Sequence, residues 1–311
     1  MSDFSEKTIS PMLIGAESEA FDSPDYLFEL KIDGVRSLAY LEDGTILKNK
    51  RNLNVSGRYP ELENINRQIR YPCILDGEIT AIVEGKPCFA KMQRRSILSD
   101  PFKIKLAAAQ HPVCLIAFDL LWLDGSDMTG EPIERRKALL AETVREESPF
   151  LAISRTIPEK GKALYALTEK QKLEGIVGKK LGSFYYPGKR TKNWVKIKRY
   201  MDEDFVVCGY IRKPGGMTSL ILGQYQDDTL VYKGHVTLGV SGGNYAKVTR
   251  MSKRSRPPFL APAGNEEAVW IDPELVCTVV FMEKNESGSM RQPVFRGIRD
   301  DKAPRECIAD E

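Results

Sequence analysis

The stretch "LFELKIDGVRSLAY", residues 27 to 40, sets one lysine between two carboxylates and follows it with a glycine and an arginine. Read as an extended strand over 27 to 33, its side chains alternate, so Phe28, Leu30 and Ile32 share a core-facing side while Glu29, Lys31 and Asp33 share the other. Such a lysine is either an ion-paired surface residue or a nucleophile held in place. Taken alone, Lys31-Ile32-Asp33-Gly34 favours the surface reading, because so short a pattern recurs by chance.

Further parts follow in order. "LDGEI" at 75 to 79 sets Asp76 and Glu78 on one strand face, and "AFDLLWLDG" at 117 to 125 puts Phe118 beside Asp119. "EGIVGKK" contributes Glu174, "NWVKIKR" puts Lys196 and Lys198 on one face, and "PVFRGIRDDK" carries Arg299, Asp301 and Lys302. Each alone fits a solvated face or a core aromatic; together they supply the parts for phosphoryl-type chemistry. A lysine amine that attacks a nucleotide α-phosphate must be unprotonated, whereas free lysine has a pKa of about 10.4. Flanking carboxylates raise it further, so desolvation, a divalent cation and neighbouring Lys or Arg charge must counter them. Glu78 and Glu174 are hard oxygen ligands suited to Mg²⁺, and carboxylates alone do not decide between Mg²⁺ and Mn²⁺. Lys196 and Lys198 can neutralise phosphate charge, Arg36 and Arg51 can orient phosphates with forked donors, and Phe118 can stack on a base.

The elements that must position these groups form an α+β pattern without regular βαβ alternation. "RSLAYLEDGTILKNK" reads as two strands around an Asp43-Gly44 turn, "CILDGEITAIV" as a strand, and "VCLIAFDLLWLDG" as a buried strand running into a turn. "RYPELENINRQIR" places Leu62, Ile65 and Ile69 on a helical stripe, "KIKLAAAQHP" suits a helix ending before Pro112, and Pro132 opens a helix in "PIERRKALLAETV". "LEGIVGKK" and "NWVKIKR" are short strands. Beyond about residue 200, strands "DFVVCGYIR", "SLILGQYQ", "TLVYKGHVT" and "LVCTVVFME" with a helical connection at roughly 242 to 254 fit a small barrel of the OB type. The domain boundary is placed near Tyr200-Met201, giving domains 1–200 and 201–311.

Composition sets outer limits. At 311 residues, 42% hydrophobic and 29% charged, the chain has the makings of about two globular domains, and no apolar run approaches a membrane span. The opening "MSDFSEKTIS" has neither the basic nor the apolar region of a secretory signal, so a cytoplasmic location is expected. The six cysteines show no metal-ligand spacing and read as reduced thiols, and His111 and His235 read as structural or surface residues. A net charge of +3 leaves questions of partner to local clusters.

The ordered series, from "PML" at 11 to 13 through "RDDK" at 299 to 302, resembles the motifs of the covalent nucleotidyltransferases, and most closely the compact bacterial ATP-dependent DNA ligases and the ligase module of end-joining ligases. The resemblance implies a nucleotidyltransferase (adenylation) domain followed by a C-terminal OB-fold β-barrel. It implies a three-step reaction in which Lys31 takes AMP from ATP, AMP passes to the 5′-phosphate at a DNA nick, and the 3′-hydroxyl seals the strand. Glu29 then corresponds to the carboxylate that reads the adenine amine, while Asp33 and Arg36 contact the ribose and the nick or its phosphate. Arg51 matches the following arginine, in "RNL" where "RNG" is usual. Glu78 matches the ribose- or metal-linked glutamate, Phe118 the stacking aromatic, Glu174 the metal-binding glutamate, and Lys196 and Lys198 the phosphate-contacting lysines. Arg299, Asp301 and Lys302 match the OB-domain motif that orients the leaving pyrophosphate. Gly34 allows the close approach and turn that bring Arg36 round.

Two basic runs, "YYPGKRTKNWVKIKR" and "KVTRMSKRSR", fit a polyanionic partner, here nicked double-stranded DNA. With only 30 residues ahead of Lys31, no separate N-terminal DNA-binding domain is expected, and 239 to 262 is the expected DNA clamp. An end-bridging partner such as Ku is left open, and a monomer suffices for one nick. Rival readings are an mRNA guanylyltransferase, against which Glu29, "FDLLWLDG" and "RDDK" speak, an RNA ligase, and a non-catalytic OB-type nucleic-acid-binding protein.

Overall fold

The computed structural model describes residues 5–285 and 288–309, which fall into two compact units, Met1–Arg199 and Tyr200–Glu311. The first unit is built on two sheets. One runs in the order Leu13–Glu17, Arg190–Lys198, Gly175–Lys180, Ser23–Leu30, Thr156–Glu159. The other has Thr45–Asn49, Val35–Leu41, Cys73–Val83 and Val113–Leu123 as its spine, with Leu151–Ile153 added in parallel to the last. Leu38, Tyr40, Ile74 and Leu121 from the second sheet pack against Val177 and Trp194 from the first, so the two sheets share a core. On the far side of the second sheet, Leu75 and Leu115 pack with Met92 and Leu140 of the helices Phe89–Ser96 and Ile133–Thr143. The helix Gly161–Gln171 covers the far side of the first sheet through Leu164, against Phe28 and Ile176.

The strand read over 27 to 33 stops at Leu30, so Lys31 and Asp33 stand beyond it rather than within it. The chain here leaves one sheet for the other. The Lys31 amide still donates to the Gly175 carbonyl at 2.9 Å, and the next strand, Val35–Leu41, belongs to the second sheet. Gly34 makes the crossing possible, since a Cβ there would lie 2.2 Å from the Ile79 carbonyl oxygen. Leu62, Ile65 and Ile69 are buried as their spacing predicts, yet Leu62 and Ile65 lie on two short 3₁₀ turns and Ile69 is extended, bridging Val144, in place of one continuous helix. The helices Phe89–Ser96 and Gly161–Gln171 are not among the elements expected from the sequence.

The second unit is a curled antiparallel sheet in the order Thr229–Val236, Thr218–Gln226, Met201–Arg212, Val269–Phe281, with Val294–Arg299 paired to the last. The bridge from Leu238 to Val294, with the Phe295 amide donating to the Leu238 carbonyl at 2.8 Å, ties the two ends together as an OB-type barrel requires. The helix Gly242–Thr249 is shorter than its sequence predicts and plugs the barrel with Val248. All six cysteines are free thiols, and all but Cys88 are buried. Among the described residues no helix is long and apolar enough to cross a membrane.

Candidate active site

Lys31 stands where the two sheets of the first unit part. Its Nζ lies 2.8 Å from Glu174 Oε2, with the lysine side chain 21% exposed and the glutamate 6%. Glu174 precedes Gly175, which pairs with Lys198 on the adjacent strand, and Gly175 must be glycine because its φ is +138° and a Cβ would lie 2.1 Å from the Ile197 carbonyl oxygen. The ladder thus sets Lys198 beside Glu174. Burial holds the Lys198 ammonium below its ordinary pKa, and the charges of Lys196 and Lys31 push the same way. Burial also drives the Glu78 carboxyl up to about 8, against the pull of Arg36 and Lys31. Lys196 is more exposed and pairs with Glu17 at 2.8 Å.

A cleft opens beside this group, lined by Glu29, Lys31, Arg36, Glu78, Phe118 and Lys179 among others. At its inner end Glu29 is buried, with Oε2 accepting from Lys179 Nζ at 3.1 Å. The Lys137 ammonium lies 2.9 Å from Oε1, so each oxygen of the buried carboxylate faces a cation. Lys179 is held down to about 8 by burial, opposed by Glu29. Phe118 has the Arg36 guanidinium 4.6 Å and the Lys179 ammonium 4.7 Å from its ring centre, and the Trp194 ring edge-on at 6.1 Å. Arg36 itself is fixed by a two-pronged ion pair with the fully buried Asp76, which also accepts the Tyr185 hydroxyl at 2.6 Å.

The structure therefore brings together Glu29, Lys31, Arg36, Glu78, Phe118, Glu174 and Lys198, with Lys196 at the rim. Asp33 is half-buried at the crossing, its carbonyl accepting from the Thr80 hydroxyl at 2.8 Å, and it does not line the cleft. Arg51 is exposed on a turn, its amide held by Asn49 Oδ1 at 2.9 Å, and likewise does not line the cleft. In that turn Asn52, at φ +60°, takes the left-handed conformation, so Leu53 in the place of the usual glycine needs none. Lys179, Lys137 and Asp76 were not assigned roles from the sequence. Strand alternation from Val177 puts Lys179 on the face that meets Phe118, a usable signal, whereas nothing local marks Lys137.

In the second unit Arg299, Asp301 and Lys302 form a cluster of their own. Arg299 donates to both oxygens of Asp301 at 2.7 Å, and Arg299 and Lys302 both reach Asp204. The Arg299 guanidinium holds the Asp301 carboxyl down to about 2.

Comparison with known proteins gives this geometry a family. Residues 11–198 match the family described as ATP dependent DNA ligase domain, and residues 213–302 match ATP dependent DNA ligase C terminal region. The multifunctional non-homologous end joining protein LigD of Mycolicibacterium smegmatis is 30% identical over 96% of this chain and 39% of its own length. Its counterpart in Pseudomonas aeruginosa is 31% identical over 92% of this chain and 35% of its own length, so the chain spans little more than a third of these relatives. The crystal structure of the ligase domain of M. tuberculosis LigD is 26% identical, covers 97% of this chain and 98% of that one, and superposes with a TM-score of 0.56. The chain belongs to the ATP-dependent DNA ligase family.

Proposed function

We propose that this chain seals nicks between a 3′-hydroxyl and a 5′-phosphate in double-stranded DNA, with ATP as the source of AMP. The observation that carries the reading is Lys31 paired to Glu174 beside a cleft whose inner end holds the buried carboxylate of Glu29. A carboxylate has lone pairs to spare for the exocyclic amine of adenine, whereas the keto oxygen of guanine would oppose it, which favours ligation over capping. Phe118 stacks on the base. Arg36, Lys196 and Lys198 face the phosphates, and Asp33 assists at the crossing.

In the first step the Lys31 amine, its protons passing to solvent, forms a bond to the α-phosphorus as the bond from that phosphorus to the bridging β-phosphate oxygen breaks and pyrophosphate leaves. Arg299, Asp301 and Lys302 orient that leaving group. In the second, an oxygen of the 5′-phosphate displaces Lys31 from phosphorus. In the third, the 3′-hydroxyl attacks the 5′-phosphate, AMP leaves and the proton passes to solvent. Glu78 and Glu174 would hold Mg²⁺ or Mn²⁺; both are hard oxygen donors, and a cation would oppose the burial that raises the Glu78 carboxyl. The metal's contribution is to neutralise phosphate charge. The adenylation domain is taken as 1–200 and the OB domain as 201–311. The relatives' names place them in end joining, and a role there, in the cytoplasm and as a monomer, with an end-bridging partner such as Ku, is carried over to this chain.

Incubation with radiolabelled ATP and Mg²⁺, denaturation and a gel, with Lys31→Ala alongside, tests the reading. Label on the wild type alone, transferable to nicked duplex, is expected. Label from GTP and not from ATP would move the reading to capping, and no label from folded, AMP-free protein would sink it.

A further inference from the structure

Arg299 and Lys302 meet on a carboxylate 95 and 98 residues earlier in the chain. Asp204 lies on Met201–Arg212 directly across the ladder from Thr278, whose hydroxyl donates to Asp204 Oδ1 at 2.6 Å. That bond fixes the rotation of the carboxylate. Oδ2 then faces Lys302 Nζ at 2.9 Å and Arg299 Nη1 at 3.3 Å, while the other edge of the Arg299 guanidinium is taken by Asp301. Burial alone would raise the Asp204 pKa, but Thr278 and Lys302 outweigh it and hold the group ionised. Two cations that would repel each other are thus gathered at one oxygen anchored to the barrel wall.

We propose that Asp204 is a positioning residue for Lys31 adenylation: it sets Arg299 and Lys302 at a fixed separation, so that together they engage the departing pyrophosphate, and it takes no part in sealing. The inference rests on the reading of Arg299, Asp301 and Lys302 as pyrophosphate-orienting groups. A carboxylate that merely neutralised the pair would have the opposite sign, because its removal would free positive charge for the polyphosphate.

The test is Asp204→Asn, which keeps an oxygen for Thr278 and turns an NH₂ toward the two cations. Single-turnover adenylation of Lys31 at saturating ATP should fall about ten- to a hundredfold, while sealing of a pre-adenylated nick stays within about twofold. Thr278→Val, which releases the carboxylate without removing it, should show the same step selectivity with a loss of about three- to tenfold, and it decides the matter if the first variant does not fold. Unchanged or faster adenylation, or equal losses in adenylation and sealing, would overturn the proposal. Arg299→Ala and Lys302→Ala separate the two levels. If they spare adenylation, the underlying reading fails; if they depress it and Asp204→Asn does not, only the role of Asp204 fails.

Discussion

The charged clusters of the two units are opposites in setting. In the first unit Glu29 and Lys179 are each 2% exposed and Asp76 is wholly buried, with partners drawn from four strands and a helix. In the second, the Arg299 and Asp301 side chains are 40% and 70% exposed at the end of one strand. Charges buried in a low dielectric interact strongly and are costly to unpair, whereas exposed ion pairs are screened and contribute little each. The cleft is therefore built to hold one geometry, whereas the cations of the surface cluster keep a solvent-facing side for a phosphate ligand while Asp204 holds their spacing. A base that must be recognised and a lysine that must be desolvated belong in the first setting; groups that engage a leaving group and release it belong in the second.

That contrast fails if buried and exposed partners prove interchangeable. Lys31→Ala should show the largest effect, abolishing both label from ATP and nick sealing from ATP. Next, Glu29→Gln should lower the adenylation rate by about a hundredfold, because it replaces an acceptor flanked by two ammonium groups with an amide that must turn a donor toward one of them. Single-turnover labelling with ATP measures it, and a loss under about threefold would mean that Glu29 is only a counter-ion. Asp301→Ala, at the exposed cluster, should slow adenylation while leaving the melting temperature within about 2 °C of the wild type.

The two settings also predict opposite responses to pH. Burial lowers the Lys179 pKa to about 8 in the folded chain, below its unfolded value, so between about 8 and 10.5 the unfolded chain binds the extra proton and stability from this group rises with pH. Lys302 is shifted the other way, chiefly by its hydrogen bond to Asp204, so what it contributes is present below its unfolded pKa and is lost as pH rises through the higher folded one. Urea unfolding across pH 8 to 10.5 should show wild type gaining on Lys179→Met by up to roughly 3 kcal/mol. A parallel pair of curves would show that Lys179 does not titrate in this window.

The same contrast governs what the sequence made legible. Lys31, Glu78, Glu174, Lys196 and Lys198 stand in short local patterns, and strand alternation puts Lys196 and Lys198 on one face of Arg190–Lys198. The end of the strand at Leu30 was not legible, because it follows from the crossing between sheets, a tertiary event marked locally only by Gly34. Lys137 approaches Glu29 from a helix more than a hundred residues on, and Asp204 meets Lys302 across the barrel; neither contact leaves a trace in spacing. Partners at long sequence separation are set by packing, so the groups that tune a site are harder to read than the groups that define it.

The smallest expected effect concerns the segment from 239 to 262. Deleting it would remove Val248 from the barrel core and Phe259 from between Tyr232 and Trp270, so a deletion would report on folding. Lys253, Arg254 and Arg256 are exposed, and Arg254 is tied to Asp272 only by a loose 3.4 Å contact, so they can be exchanged without disturbing that core. Replacing Lys253 and Arg256 with alanine should weaken binding to nicked duplex by a few-fold and reduce the slope of log affinity against log salt by about 0.9 for each phosphate no longer neutralised. Adenylation of Lys31 should be untouched, because no polyanion other than ATP takes part in it. If the salt slope does not change, the basic face is solvated surface, and the duplex is held by the other basic run, around Lys189, Arg190 and Lys192, which strand Arg190–Lys198 ties to the cleft.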